Sequence, residues 1–311
     1  MQLADAPLPE PGPSQVRIRN RAAALNFFDL LQIQGKYQSR AGFPFTPGAE
    51  VAGVVDAIGA GVKEIAVGDE VMAFASGGGY AEFTLADSFR TFPIPVGMDI
   101  GKAAAMPVVY HTAYFALKQR AQLREGDTLL VHAGASGVGM AAIQIGKALG
   151  ARVIATAGEP AKLDFAIRQG AERAINYRED NWVDQVKELT GRRGADVVFD
   201  PVGGDVFDLS TRCVASEGRI LVIGFTSGRI PTVQVNRLLL KNISIVGVLW
   251  GDYANARPWY LGEVQRALNA LYAEGKINPV VSNEYPFEDA PRAMRDVAER
   301  RATGKSILVI K

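Results

Sequence analysis

The sequence predicts an α/β protein in which a doubly wound parallel sheet is set within a second, β-rich domain split along the chain. Three observations lead there. A glycine-rich turn, Gly134-Ala135-Ser136-Gly137-Val138-Gly139, joins a strand-like run to a helix-like one. From Asp127 onward strand-like and helical segments alternate, the pattern of a parallel sheet wound with helices. Before that point short apolar runs are cut by glycine and proline, as in a compact β domain.

The turn comes first because the rest is arranged around it. Leu129–Val131 is an apolar run of the kind a buried parallel strand shows. Met140–Leu149 carries apolar residues at helical spacing and stops at Gly150. A pyrophosphate needs backbone amides that approach it closely and a helix N-terminus pointing at it. The usual spacing is G-x-G-x-x-G, and Ser136 holds the place of the second glycine. The turn alone leaves a second reading open, a tight turn in some other α/β unit. A following strand at Arg152–Ala157 favours the nucleotide-binding βαβ unit.

The other elements follow in order. Strands are expected at Val16–Arg19, Val51–Ile58, Glu70–Ala75 and Tyr80–Leu85, with a short helix over Asn26–Ile33 and a helical stretch over 101–124. Pro7–Pro13 has no element of its own. After Thr128–Val131 come helix 138–149, Val153–Ala157, helix 160–169, Arg173–Asn176, helix 180–190, Val197–Asp200, helix 205–215, Arg219–Gly224 and Ile243–Val248. An amphipathic helix over 258–274 and a strand at Ser306–Ile310 close the chain. The expected domains are therefore 1–112 with 252–311, and 113–251 between them.

Bulk properties narrow the function. The 311 residues allow two domains with real cores. Thirty-four basic side chains against 33 acidic ones leave a net charge of +1, which offers nothing to nucleic acid or an anionic membrane. No stretch approaches a membrane span, and the polar, proline-rich start does not read as a signal peptide. A lone cysteine, Cys213, fits a reducing compartment, and the cytoplasm is expected. With only His111 and His132 beside it, a cysteine-rich structural zinc site is ruled out.

Several ordered motifs carry a resemblance that covers essentially the whole chain. They are Pro47–Val55, Val67–Phe74, Gly134–Gly139, Ile175–Asp180, Asp196–Gly204 and Gly218–Gly228. Together they resemble the medium-chain dehydrogenase/reductase superfamily, and within it the zinc-independent NADPH:quinone oxidoreductases of the zeta-crystallin type. The resemblance implies a GroES-like β-barrel domain, a Rossmann domain, a cleft between them for nicotinamide and substrate, and a homodimer. Members usually begin with one more strand and turn before the point matching Met1, so a first hairpin is expected to be absent or the start displaced.

Zinc-dependent members place a cysteine at Asn26 and a histidine at Ala49, and neither residue present here is a competent ligand. No metal is expected. Without a Lewis acid, alcohol oxidation is disfavoured and reduction of an electron-poor acceptor is favoured. The resemblance assigns Gly134, Ala135, Ser136, Gly137 and Val138 to the cofactor's phosphates. Ala157 stands where an NAD-preferring unit carries an acidic residue. Gly158, Lys162 and Tyr177 match the positions that hold a 2′-phosphate, so NADPH is the expected cofactor. Alone, Lys162 reads equally as a solvated helix lysine. Glu159 is discordant: it either repels a phosphate or points to solvent as a helix-start carboxylate.

At the reacting end, the resemblance puts Thr112 against the nicotinamide, bordered by Gly224, Phe225 and Ser227 and by Val248, Leu249 and Trp250. It puts Asn26 and Tyr37 at the acceptor, with Leu31 replacing a tyrosine often found there. Tyr37 also matches the candidate proton donor of zinc-free enoyl-thioester reductases, and its other reading is a loop tyrosine packed on the barrel. Asp29 reads as a structural carboxylate. The expected activity is NADPH-dependent reduction of a quinone or other conjugated carbonyl. The alternatives are enoyl-thioester (enoyl-CoA or acyl-carrier) reduction and a non-catalytic NADPH-binding protein.

Overall fold

The structure, a computed structural model, describes residues 1–38, 42–76 and 78–311. The first half runs β1 (Gln15–Ala24), α1 (Phe27–Ile33), β2 (Glu50–Ile58), β3 (Glu70–Phe74), β4 (Phe83–Asp87), β5 (Thr91–Pro93), α2 (Ile100–Ala104) and α3 (Pro107–Tyr114). A π-helical segment, Phe115–Arg120, follows directly. Then come β6 (Thr128–Val131), α4 (Gly137–Ala148), β7 (Arg152–Ala157), α5 (Pro160–Arg168), β8 (Arg173–Asn176), α6 (Trp182–Leu189) and β9 (Ala195–Asp200). The remainder is α7 (Gly204–Cys213), β10 (Val214–Val222), α8 (Asn236–Lys241), β11 (Ser244–Gly247), α9 (Trp250–Asn255), α10 (Pro258–Ala273), β12 (Val281–Pro286), α11 (Ala290–Ala298) and β13 (Lys305–Val309).

The chain divides into two compact units, residues 1–108, 257–269 and 279–311 in the first, and 109–256 with 270–278 in the second. The sequence placed everything after 252 with the first domain. Residues 270–278 instead join the second unit, where the Gln144 amide both accepts from the Asn278 N–H at 2.8 Å and donates to its carbonyl at 3.0 Å.

The first unit holds a seven-stranded sheet in the order β12-β13-β1-β2-β3-β5, with β4 also paired to β1. β1 thus has three partners, all antiparallel. Its apolar residues alternate, and Val16 and Ile18 are buried with Val51, Val55, Val71 and Leu308 in one core.

The second unit is a six-stranded parallel sheet in the order β8-β7-β6-β9-β10-β11. Counted within the unit that is 3-2-1-4-5-6, the dinucleotide-binding order, which reverses direction between β6 and β9. Ligands of such sheets bind beyond the strand C-termini at that reversal, and the glycine turn leaves β6 there. Leu130, Ile154, Val198 and Ile220 fill one core beside the sheet with Trp182 and Phe207.

Differences from the sequence reading have local causes. The helical stretch at 101–124 is broken before Pro107, because a residue preceding proline is pushed out of the helical region. β10 starts at Val214, not Arg219, and reaches its regular pairing through a register shift at a left-handed Glu217 (φ 60°). α8 and α9 span six residues each, too short to show a period. α11 was missed although Pro291 in its first turn is a start signal. No helix among the described residues is long and apolar enough to cross a membrane.

Candidate active site

The turn after β6 is held from both sides. His132 N–H donates to the Phe199 carbonyl of β9 at 3.0 Å, and Gly134 N–H to the Thr156 carbonyl of β7 at 2.9 Å. The buried His132 ring locks the same place. The Ser210 hydroxyl donates to the Val206 carbonyl at 2.7 Å, so it accepts from His132 Nε2 at 2.8 Å. Nδ1 then accepts from the Thr156 hydroxyl at 2.9 Å. Burial pushes the imidazole pKa down to about 3, so the ring is a neutral strut between β6, β7 and α7.

Ser136 is the N-cap of α4, and its hydroxyl accepts from Gly139 N–H at 3.1 Å. That explains a serine in the second glycine's place: the hydroxyl satisfies one of the amides a helix start leaves open. Gly137 and Val138 form the helix's first turn, and Gly134 and Ala135 lie buried in the turn before it. At Gly139 a Cβ would fall 2.2 Å from the Ala133 carbonyl oxygen. Gly139→Ala is therefore expected to cost about 1–3 kcal/mol through backbone displacement. The same change at Gly251, where a Cβ meets nothing within 4 Å, should be neutral or stabilise by up to ~1 kcal/mol. Urea unfolding of both variants checks the contrast, and equal losses would contradict it.

Beyond β7, five residues converge. Ala157 is the last residue of the strand. A Cβ on Gly158 would stand 3.0 Å from the Tyr177 hydroxyl and from Arg178 Nε, so glycine is what lets these side chains close over the backbone. Lys162 Nζ lies 3.4 Å from one Glu159 carboxylate oxygen, and Arg178 Nη2 lies 3.5 Å from the other. Arg178 thus makes a cationic pair with Lys162 around this carboxylate.

On the other flank, the Thr226 and Ser227 N–H groups donate to the Pro201 and Val202 carbonyls at 3.1 and 2.9 Å. This fixes the loop carrying Gly224, Phe225 and Ser227 against the end of β9. Asp200 holds that end, accepting from Val202 N–H at 2.8 Å and Gly203 N–H at 3.0 Å. Burial lifts its pKa to about 6 against the pull of those two amides. Val248 N–H donates to the Val222 carbonyl at 3.1 Å, and Leu249 is exposed. The buried Trp250 ring packs on His111 and Phe115, with centroids 5.6 and 5.3 Å apart. What Trp250 can offer a ligand is thus backbone. Thr112, half-buried on α3, follows His111 in the chain.

Asn26 and Tyr37 lie in the first unit. Asn26 is the N-cap of α1, and its amide is engaged internally. Nδ2 donates to Glu50 Oε1 at 2.8 Å, and Oδ1 accepts from Lys305 Nζ at 2.7 Å. The same ammonium donates to Glu50 Oε1 and to the Leu25 carbonyl, each at 2.7 Å. Glu50 Oε2 accepts Val108 N–H in the first turn of α3 at 2.7 Å. Beside this cluster Asp29 accepts from Asn26 N–H and from the Tyr80 hydroxyl, both at 2.8 Å. Glu50, Asp29 and Lys305 are almost wholly buried. Sequence reasoning missed Lys305 and Tyr80. Tyr37 is half-buried, its ring 5.6 Å from Phe28.

This cluster does not fit a metal. The Glu50 carboxylate that accepts from the Asn26 amide is bound to a lysine ammonium, Asn26 is occupied on both side-chain polar atoms, and the Ala49 side chain has no ligand atom.

The description "Alcohol dehydrogenase GroES-like domain" matches residues 12–96, and "Zinc-binding dehydrogenase" matches 137–269. Quinone oxidoreductase-like protein 2 of Bos taurus is 39% identical over 301 residues, 96% of this chain and 86% of its own length. Escherichia coli quinone oxidoreductase complexed with NADPH superposes with a TM-score of 0.93 at 31% identity, covering 99% of this chain and 95% of that one. The CurK enoyl reductase superposes at 0.89 with 26% identity, covering 100% and 94%. With the 3-2-1-4-5-6 sheet and the capped glycine turn, these likenesses show that the chain belongs to the zinc-independent quinone oxidoreductase-like family of medium-chain dehydrogenases/reductases.

Proposed function

We propose that this protein is an NADPH-dependent reductase that transfers hydride to a quinone or another conjugated carbonyl, and that it does so without zinc. The observation that carries the reading is the set of Gly158, Lys162, Tyr177 and Arg178 gathered past an Ala157 that leaves room for a 2′-phosphate. The dihydronicotinamide supplies a hydride when bound. The chain's residues would hold the phosphates at Gly134–Val138, support the nicotinamide with Thr112 and the backbone of Gly224–Ser227 and Val248–Trp250, and leave Tyr37 as the acceptor's hydrogen-bonding acid. A quinone takes hydride into a delocalised, oxygen-centred anion that water protonates, so no Lewis acid is needed. Asn26, engaged by Lys305 and Glu50, acts as part of the pocket wall.

A second reading, enoyl-thioester reduction, draws on the likeness to CurK. An enolate needs stabilisation and a carbon protonated from one face, which would make Tyr37 a general acid. NADPH oxidation is measured with a quinone, an enone and an enoyl-CoA, with and without chelator, for the unmutated chain and Tyr37→Phe. Turnover of quinone or enone, insensitive to chelator and little changed by Tyr37→Phe, is expected. A preference for the enoyl substrate with a loss of roughly 10²–10⁴-fold in Tyr37→Phe would replace the first reading by the second. Tight NADPH binding with no turnover would make the protein a non-catalytic binder.

We further propose a homodimer. Ile230, Val235, Leu239 and Leu240 are each 70% or more exposed on and before α8, in the connection leading to the edge strand β11, and a second copy would cover them. The cytoplasm is the proposed compartment, where the buried Cys213 thiol stays reduced.

A further inference from the structure

The Glu159 carboxylate bridges the two cations at the end of β7, Lys162 on one oxygen and Arg178 on the other. Its backbone is extended at the N-cap of α5, and its side chain makes no cap hydrogen bond. The helix start is therefore not what holds it. Pro160 follows in the first turn and needs no partner for a missing N–H. The carboxylate is turned toward Lys162 and Arg178, with the Tyr177 hydroxyl at the same glycine. One anion thus already sits between the cations that an incoming phosphate needs.

We propose that Glu159 sets cofactor selectivity by acting as an internal substitute for the 2′-phosphate, which the phosphate must displace to bind. The proposal rests on reading this corner as the 2′-phosphate end of an NADPH site. The exchange is feasible because both ion pairs are long and the Glu159 side chain is half-exposed, so the bridge is weak and screened. A dianionic phosphate offers three oxygens, enough for Lys162, Arg178 and the Tyr177 hydroxyl together, where a carboxylate reaches two. After displacement Glu159 stays one residue from the site and still repels the phosphate. It therefore lowers NADPH affinity without touching NADH, which carries no 2′-phosphate. Glu159 is in this sense a selectivity filter that keeps the preference for NADPH moderate.

Dissociation constants for NADPH and NADH are measured by nucleotide fluorescence on the unmutated chain, Glu159→Gln and Lys162→Gln. Glu159→Gln is expected to tighten NADPH about tenfold and to leave NADH within about twofold. A merely structural role would move both nucleotides together. Unchanged or weaker NADPH binding in Glu159→Gln, while the unmutated chain prefers NADPH and Lys162→Gln loses that preference, overturns the role of Glu159 and leaves the NADPH site standing. No preference in the unmutated chain and no effect of Lys162→Gln overturns the NADPH site itself. A preference that emerges only in Glu159→Gln confirms the displacement and overturns the NADPH preference of the natural chain.

Discussion

Lys305→Met is expected to lower the stability of the folded chain by about 3–5 kcal/mol, because it strands a buried charge. The Lys305 ammonium makes three 2.7 Å bonds, to the Leu25 carbonyl, Asn26 Oδ1 and Glu50 Oε1. Without it, Glu50 is a fully buried carboxylate supported, among the described residues, by the Asn26 amide and Val108 N–H. Glu50→Gln alone strands the ammonium instead and is expected to cost a similar amount. The double variant Lys305→Met/Glu50→Gln is expected to lose less than the sum by about 2 kcal/mol or more, since neither charge is left alone. Urea unfolding of all four proteins at pH 7 gives the cycle. A loss below about 1 kcal/mol in Lys305→Met, or additive losses, would show that water reaches the cluster and screens it.

The neighbouring acid gives the second large effect, and its sign is opposite to that of an ordinary salt-bridged carboxylate. Burial lifts the Asp29 pKa from 3.8 to about 7, against the Tyr80 hydroxyl, the Asn26 amide and the Lys305 charge, all of which pull it down. Between those two values the folded chain keeps a proton that the unfolded chain has released. Stability therefore falls as pH rises through this window and levels off above pH 7, by about 4 kcal/mol from this group. Asp29→Asn keeps an acceptor for the Tyr80 and Asn26 donors and cannot ionise. It also places an amide N–H at Oδ1, which has no partner among the described residues, at a cost of about 1–3 kcal/mol. The variant is expected to be less stable than the natural chain at pH 4.5 and equal or more stable at pH 8. Unfolding curves that stay parallel from pH 4.5 to 8 would mean that Asp29 ionises normally.

The parts of the site that were legible in the sequence are those built from neighbours in the chain. The glycine turn could be read because strand, turn and helix follow one another. Ala157 could be read because it closes the second strand of the unit. Glu159 and Lys162, one helical turn apart, could be seen as close. What escaped was made by distant partners. Arg178 reaches Glu159 across 19 residues, Tyr80 reaches Asp29 across 51, and Lys305 reaches Glu50 across 255. Lysine is the residue least expected in a core, so nothing local marked Lys305 as buried. The sequence shows Asn26 as an amide, but the cation that engages it could be found only in three dimensions.

The three partners of β1 also impose an order on synthesis. β2 and β4 leave the ribosome soon after β1 and can pair with it at once. Ala22–Ala24 must wait for Ile307–Val309, and Leu25 is 280 residues ahead of Lys305. At usual translation rates that is a delay of roughly 15–55 s. During it, the edge of β1 that will meet β13 is open to a chaperone or to another nascent chain. The inserted parallel sheet, β6 to β11, lies in one uninterrupted stretch and can form while the edge is still open. The final strand then delivers the missing pairing edge and, as its first residue, the ammonium that Glu50 requires. Closing the first unit and neutralising its interior are one late event.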